Sequence, residues 1–162
     1  MNKYILSILV ENHSGVLSKM AGLFTRRGYN IDSLTVSITD DPSISRMTIV
    51  VSGDEQITEQ IVKQLNKLID VIKILELSPQ KAVSRELALI KVTLEQNTRS
   101  FIIETVNIFK GNIVEMNAKS MIIEITGDEE TVSTFIELMK PYGIKEVVRT
   151  GLAVLQKGSE MY

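Results

Sequence analysis

Apolar and polar positions alternate through Leu34, Val36 and Ile38, and again through Met47, Ile49 and Val51. That two-residue period belongs to strands lying half-buried in an antiparallel sheet. Elsewhere the period changes to that of a helix. Met20, Leu23 and Phe24 form one apolar stripe, Ile57, Ile61, Leu65 and Leu68 a second, and Val132, Phe135, Ile136 and Met139 a third. The second and third stripes lie inside near-copies of one passage, "SGDEQITEQIVKQLNKLIDVIKI" from Ser52 and "TGDEETVSTFIELMKPYGIKEVV" from Thr126. Each copy has a strand ending in Gly-Asp-Glu, then a helix, then a strand. Upstream the echo continues, since "YILSILVE" matches "LALIKVTLE" as a strand and "RRGYNI" matches "IFKGNI" as a helix exit. Each half therefore reads strand, helix, strand, strand, helix, strand, which is the split βαβ or ferredoxin-like unit. The fold class expected is α+β, with two tandem ferredoxin-like βαββαβ domains, each an antiparallel sheet with one face covered by two helices. Residues 1–78 form the first domain, the polar, proline-containing residues 79–86 a linker, and residues 87–162 the second domain.

Composition narrows the chemistry. At 162 residues and 44% hydrophobic, the chain is long enough for two small cores. No apolar run approaches the ~20 residues needed to cross a bilayer, and the start "MNKYILSILVEN" is too short and too soon acidic for a secretory signal, so a soluble cytoplasmic protein is expected, with no membrane partner. Zero cysteines exclude thiolate metal sites and cysteine nucleophiles, and a single histidine argues against a histidine-based metal site. Neither catalytic residues nor metal ligands are expected. Eighteen basic against twenty acidic residues, with no dense basic run, lack the electrostatic footprint of a nucleic-acid binder.

The two halves differ at the turn after their first strands. The first half has "ENHSG", with Asn12, Ser14 and Gly15, where the second has "EQNTRS", with Asn97 and Thr98 but no glycine. The second half also lacks the "TDDPSISR" insert. A helix start offers unpaired N–H groups and partial positive charge to a carboxylate or phosphate, and Gly15 allows close approach. The Asn12 amide and carbonyl suit an ammonium and a carboxylate together. Asn30 lies just past Gly28, at the mouth of the next strand. The same residues are also what ordinary capping requires, with Ser14 as N-cap, Gly28 as C-cap and the asparagines as turn residues, and on spacing alone capping is the commoner explanation. His13 has no acid or nucleophile arranged around it in the sequence and reads as an exposed turn histidine.

"VENHSGVLSKMAGLFTRRGYNIDSLTVSITDDPSISRMTIVVSGDE" resembles the ACT domain of the regulatory, or small, subunit of acetolactate synthase (acetohydroxyacid synthase). The resemblance covers nearly the whole chain, including the C-terminal "EVVRTGLAVLQKG", where that family has a similar Arg-Thr/Ser-Gly segment. It implies a protein without catalysis of its own that needs no cofactor. Such a protein activates a large catalytic subunit, which carries thiamine diphosphate, Mg and FAD, and confers feedback inhibition by valine in branched-chain amino-acid biosynthesis. The family's effector site falls here on Asn12, Ser14, Gly15, Val16 and Leu17 of the glycine turn and on Asn30 and Ile31 of the second turn. In the family, paired ACT domains form a continuous sheet across a homodimer, and the effector lies between one chain's glycine turn and the other's asparagine turn. His13 stands where relatives have an acidic residue, which implies a pH-dependent effector affinity.

Two other readings fare worse. An acylphosphatase-like hydrolase needs an arginine in its anion cradle, and none lies between Glu11 and Thr25. An amino-acid-sensing tandem-ACT transcriptional regulator needs a DNA-reading module, and the chain has neither a helix-turn-helix nor a basic stripe.

Overall fold

The computed structural model describes residues 2–159. In order, the elements are β1 (Asn2–Glu11), α1 (Val16–Arg27), β2 (Ser33–Ile38), β3 (Ile44–Gly53), α2 (Glu55–Leu65), β4 (Val71–Leu77), β5 (Ala82–Thr93), α3 (Arg99–Ile108), β6 (Asn112–Met116), β7 (Ser120–Gly127), α4 (Glu129–Met139), β8 (Ile144–Arg149) and β9 (Ala153–Gln156). The expected βαββαβ order is present twice. The first sheet runs β2-β3-β1-β4 and the second β6-β7-β5-β8, the same order from the same pattern. Even an irregularity repeats. The register of β1 against β4 shifts between Leu9 and Val10, and that of β5 against β8 between Lys91 and Val92.

Local chemistry accounts for the helices. Asp54 and Asp128 each accept the backbone N–H three residues on, from Ile57 and from Thr131, both at 2.8 Å, and so cap α2 and α4. Helix α1 ends where Gly28 adopts φ 69°, a left-handed conformation that costs glycine little. Gly28 N–H then reaches the Thr25 carbonyl at 3.1 Å and Tyr29 N–H the Phe24 carbonyl at 3.0 Å, in the manner of a Schellman turn. Arg26 and Arg27 favour the negative end of the helix dipole.

The stripes read from the sequence are core. Met20, Leu23 and Phe24 bury against Leu6, Ile8 and Met47, joined by Ile61 and Leu65, with Ile57 and Leu68 packed at the margin. In the second unit Val132, Phe135 and Met139 bury against Ala88, Ile90 and Ile123.

The domain limits differ from expectation. Residues 79–81 form a single 3-10 turn, and Ala82–Thr93 is already strand, so the stretch 79–86 is not a free linker. The chain instead divides into a first unit that runs to Val83 and takes back the residues from Leu152 onward, and a second unit from Ser84 to Gly151. The first unit consequently has a second small core on the sheet face away from its helices, where Ile5, Val50 and Leu77 pack with Ala82, Leu152 and Val154. Lys157 N–H donates to the Lys81 carbonyl at 2.8 Å and ties the returning segment down. Strand β9 pairs with β5, and burial of these apolar side chains adds to that pairing in holding a four-residue strand. No described helix is long and apolar enough to cross a membrane.

Candidate functional site

Strand β1 ends at Glu11, whose N–H donates to the Asp70 carbonyl at 2.9 Å, and the next N–H, that of Asn12, reaches the Ser43 carbonyl at 2.7 Å. These bonds carry the chain past the rim of the sheet and aim it into α1. The residue at the N-cap is Gly15, at φ 89°, rather than Ser14 as the capping pattern suggested. The reason is conformational. The chain must reverse in the left-handed region there, which glycine enters freely and serine does not. No side chain caps α1 and no acid lies in its first turn, in contrast to α2 and α4. The first N–H bonded within the helix is that of Lys19, to the Gly15 carbonyl at 3.0 Å, so the N–H groups before it have no intrahelical acceptor. The position where a Cβ of Gly15 would sit is open, with nothing within 4 Å. Val16 is buried and anchors the turn in the core, while Leu17 remains 45% exposed beside it.

Asn12 has a narrower part than its chemistry suggested. Its Nδ2 donates to the Pro42 carbonyl at 2.8 Å and holds the β2–β3 loop, which leaves one amide hydrogen and the side-chain carbonyl for a ligand. Asn30 is exposed, and its Nδ2 donates to Asp32 Oδ1 at 2.8 Å. Asp32 in turn accepts from the Ser52 hydroxyl, while Ile31 packs partly buried on the core. The two turns are not brought together within one chain. They sit at opposite ends of α1, whose twelve residues make it ~18 Å long.

Around the first turn lies a charge network that the sequence did not disclose. His13 Nε2 is 2.9 Å from Asp70 Oδ1 and 3.5 Å from Glu11 Oε2, and Lys19 Nζ is 2.8 Å from Asp70 Oδ2. His13 Nδ1 is 3.1 Å from the Ser14 carbonyl oxygen. His13 is therefore surrounded by acids, contrary to the sequence reading. The hydrogen bond to the Ser14 carbonyl, with Asp70 and Glu11 adding to it, raises the His13 pKa above its ordinary 6.5. The Lys19 ammonium holds the Asp70 carboxyl below its ordinary range. Glu11, His13 and Asp70 bring one ligand-type atom each within 4.8 Å of one another. Both Asp70 oxygens already face nitrogen donors, which makes this an ion-pair network rather than a cation cage. Its sequence signal was faint: Asp70 is a lone acid in the apolar run "LIDVI".

In the second unit Thr98 stands at the N-cap of α3, but its hydroxyl turns back to the Glu95 carbonyl at 3.3 Å and caps nothing. The Glu95 carbonyl also accepts from Thr98 and Arg99 N–H, so the turn before α3 satisfies the first donors itself.

Comparison with known proteins decides the family. Residues 6–73 match the model described as AHAS small subunit-like ACT domain, and residues 85–158 match that described as small subunit of acetolactate synthase. The chain belongs to the acetolactate synthase small-subunit family. It is 51% identical over 158 residues to a probable acetolactate synthase small subunit of Archaeoglobus fulgidus, covering 98% of this chain and 99% of that protein. It is 43% identical over 159 residues to the acetolactate synthase small subunit of Bacillus subtilis, covering 98% and 92%. Among solved structures, an acetolactate synthase small subunit from Thermotoga maritima matches with TM-score 0.89 and 39% identity, covering 99% of this chain and all of that one. Family membership accounts for the ACT unit and for the second ferredoxin-like unit together.

Proposed function

We propose that this small subunit binds a branched-chain amino acid, valine, at the Gly15 turn and thereby feedback-inhibits a catalytic large subunit that it otherwise activates. The observation that carries the reading is the start of α1: a left-handed Gly15 with open space over it and no capping side chain, beside N–H groups that lack intrahelical acceptors. A ligand carboxylate fits that cradle. The carbonyl end of Asn12 faces the ammonium, and exposed Leu17 meets the branched side chain.

Asn30 and Ile31, ~18 Å away along α1, belong to the same ligand only if a second copy supplies them. Strand β2, an outer strand of its sheet, suits that pairing. Leu34, Val36 and Ile38 alternate along it and are 36%, 40% and 60% exposed. An outer strand bearing an apolar row is a ready site for strand pairing. The homodimer then carries two shared sites, its first units bind effector, and its second units act on the large subunit, where the thiamine-diphosphate chemistry resides. The cytoplasm is the compartment of such a complex.

The test is complementation between Asn12→Ala and Asn30→Ala. Each removes a polar partner of the ligand at a cost of ~1–3 kcal/mol, so each homodimer binds poorly. A mixed dimer, co-expressed with two tags and purified, has one doubly damaged site and one intact site, and calorimetry is expected to return near one valine per dimer. An intact mixed dimer with no recovered binding overturns the shared site.

A further inference from the structure

The His13 ring contacts carry more than the effector reading uses. Both ring nitrogens face atoms that only accept, the Ser14 carbonyl oxygen at 3.1 Å from Nδ1 and Asp70 Oδ1 at 2.9 Å from Nε2. A neutral imidazole donates from one nitrogen only, so the pair of contacts is made by the imidazolium. The groups facing His13 come from every element packed on the turn: Glu11 at the end of β1, Lys19 on α1 and Asp70 just before β4. Asp41, on the β2–β3 loop, is occupied by its own Ser43, whose hydroxyl at 2.7 Å and N–H at 2.9 Å both donate to it. With His13 protonated, two carboxylates in the network meet two cations and the network is neutral. With His13 neutral, two carboxylates meet one cation, and a net negative charge stands two residues from Gly15.

We propose that His13 is a pH-sensitive gate on the Gly15 turn, admitting a carboxylate ligand as the imidazolium and repelling it as the neutral ring. The proposal rests on the reading of that turn as the effector's carboxylate site. The turn from Glu11 to Gly15 is exposed and screened by solvent, but Asp70 beneath it is buried, and like charges at close range there still repel. Linkage fixes the sign: a ligand that prefers the protonated form binds best below the His13 pKa, which lies above 6.5, and weakens as pH rises through it.

His13 is the chain's single histidine, so its ring resonances identify themselves in the full-length protein. NMR titration is expected to show a pKa above 6.5 that falls in Asp70→Asn and rises further when valine is added. Calorimetry from pH 6 to pH 8.5 is expected to show valine affinity falling about tenfold, as for a one-unit coupling. His13→Gln is expected to bind at the weak level with no such slope. Valine binding with a flat profile, an unchanged slope in His13→Gln, or a His13 pKa unmoved by valine overturns the gate while leaving the effector site standing. Absence of valine binding at every pH overturns the effector reading and the gate with it.

Discussion

The two helix starts occupy the same place in two copies of one fold, and backbone hydrogen bonds align them, with one extra residue in the second turn. Glu11 N–H to Asp70 corresponds to Thr93 N–H to Gly143, Asn12 N–H to Ser43 corresponds to Leu94 N–H to Lys119, and Lys19 N–H to Gly15 corresponds to Ile102 N–H to Thr98. Asp70 is thus answered by Gly143, Asn12 by buried Leu94, Lys19 by fully buried Ile102, and Gly15 by Thr98. Polar or charged groups of the first copy are replaced by apolar groups or removed in the second. The frame keeps its backbone bonds under either set of side chains, so what distinguishes a ligand turn from a packed turn is chemistry laid over a shared geometry.

The second copy places its buried charge at the other end of the frame. Glu86 is buried in β5 and receives Arg149 from β8, whose Nε donates at 3.2 Å and whose Nη2 makes a second bond to the other carboxylate oxygen. The shared register shift aligns Ala88 with Leu6 and Arg149 with Glu76, which puts Tyr4 and Glu76 in the first unit where the pair stands in the second. The first unit thus holds its buried, ion-paired carboxylate, Asp70, beside an open turn, and the second uses its own, Glu86, to close its sheet.

The largest effect that sharpens this contrast is expected from Arg149→Ala. Removing the guanidinium strands a buried carboxylate, at a cost of about 3 kcal/mol. Denaturation of the full chain, followed by proteolysis at partial unfolding, is expected to show the loss in the second unit while valine binding survives. Loss of valine binding in a folded Arg149→Ala protein breaks the separation between the two units.

Gly15→Asp is next. It forces an L-residue into φ 89° at a cost of ~1–2 kcal/mol and places a carboxylate in the anion cradle. Valine inhibition of the complex reconstituted with its large subunit is expected to weaken by about 100-fold, equivalent to ~2.7 kcal/mol, with activation retained. Gly15→Asn, which tolerates the left-handed region and adds no charge, is expected to lose less. Equal losses in the two variants indicate that backbone strain alone is responsible.

What the sequence disclosed was what is local or periodic. Helical stripes, the Gly-Asp-Glu starts of α2 and α4 and the left-handed exit at Gly28 each depend on a few neighbouring residues. The N-cap of α1 was misplaced by one position because a positive φ, not a side-chain acceptor, governs that turn. The network at His13 was hidden because Asp70 lies 51 residues from Lys19 in the chain and meets it only when β4 pairs beside β1. Strand β9 was missed for a similar reason. Its four residues "AVLQ" have no readable period, and its return to the first unit is fixed by contacts with Ile5, Val50 and Leu77.

The smallest expected effect bears on what the copies share. Asp54 and Asp128 occupy the same position, accept the same kind of N–H at the same 2.8 Å, and should contribute alike. Asp54→Ala and Asp128→Ala are each expected to cost about 1 kcal/mol in chemical denaturation, and replacement by Ser to cost a fraction of that. The Asp128 cap also has a pH signature. The Thr131 hydroxyl and N–H hold the Asp128 carboxyl below its ordinary 3.8, so the cap's contribution is fully present above that value and is lost as pH falls through the lower folded pKa. Between pH 5 and pH 2, the cost of Asp128→Ala relative to the parent chain is therefore expected to shrink. A cost for Asp128→Ala that stays constant to pH 2 shows that the carboxylate's charge has no part in the cap. A cost at Asp54 several times that at Asp128 shows that the two copies have diverged even where their geometry coincides.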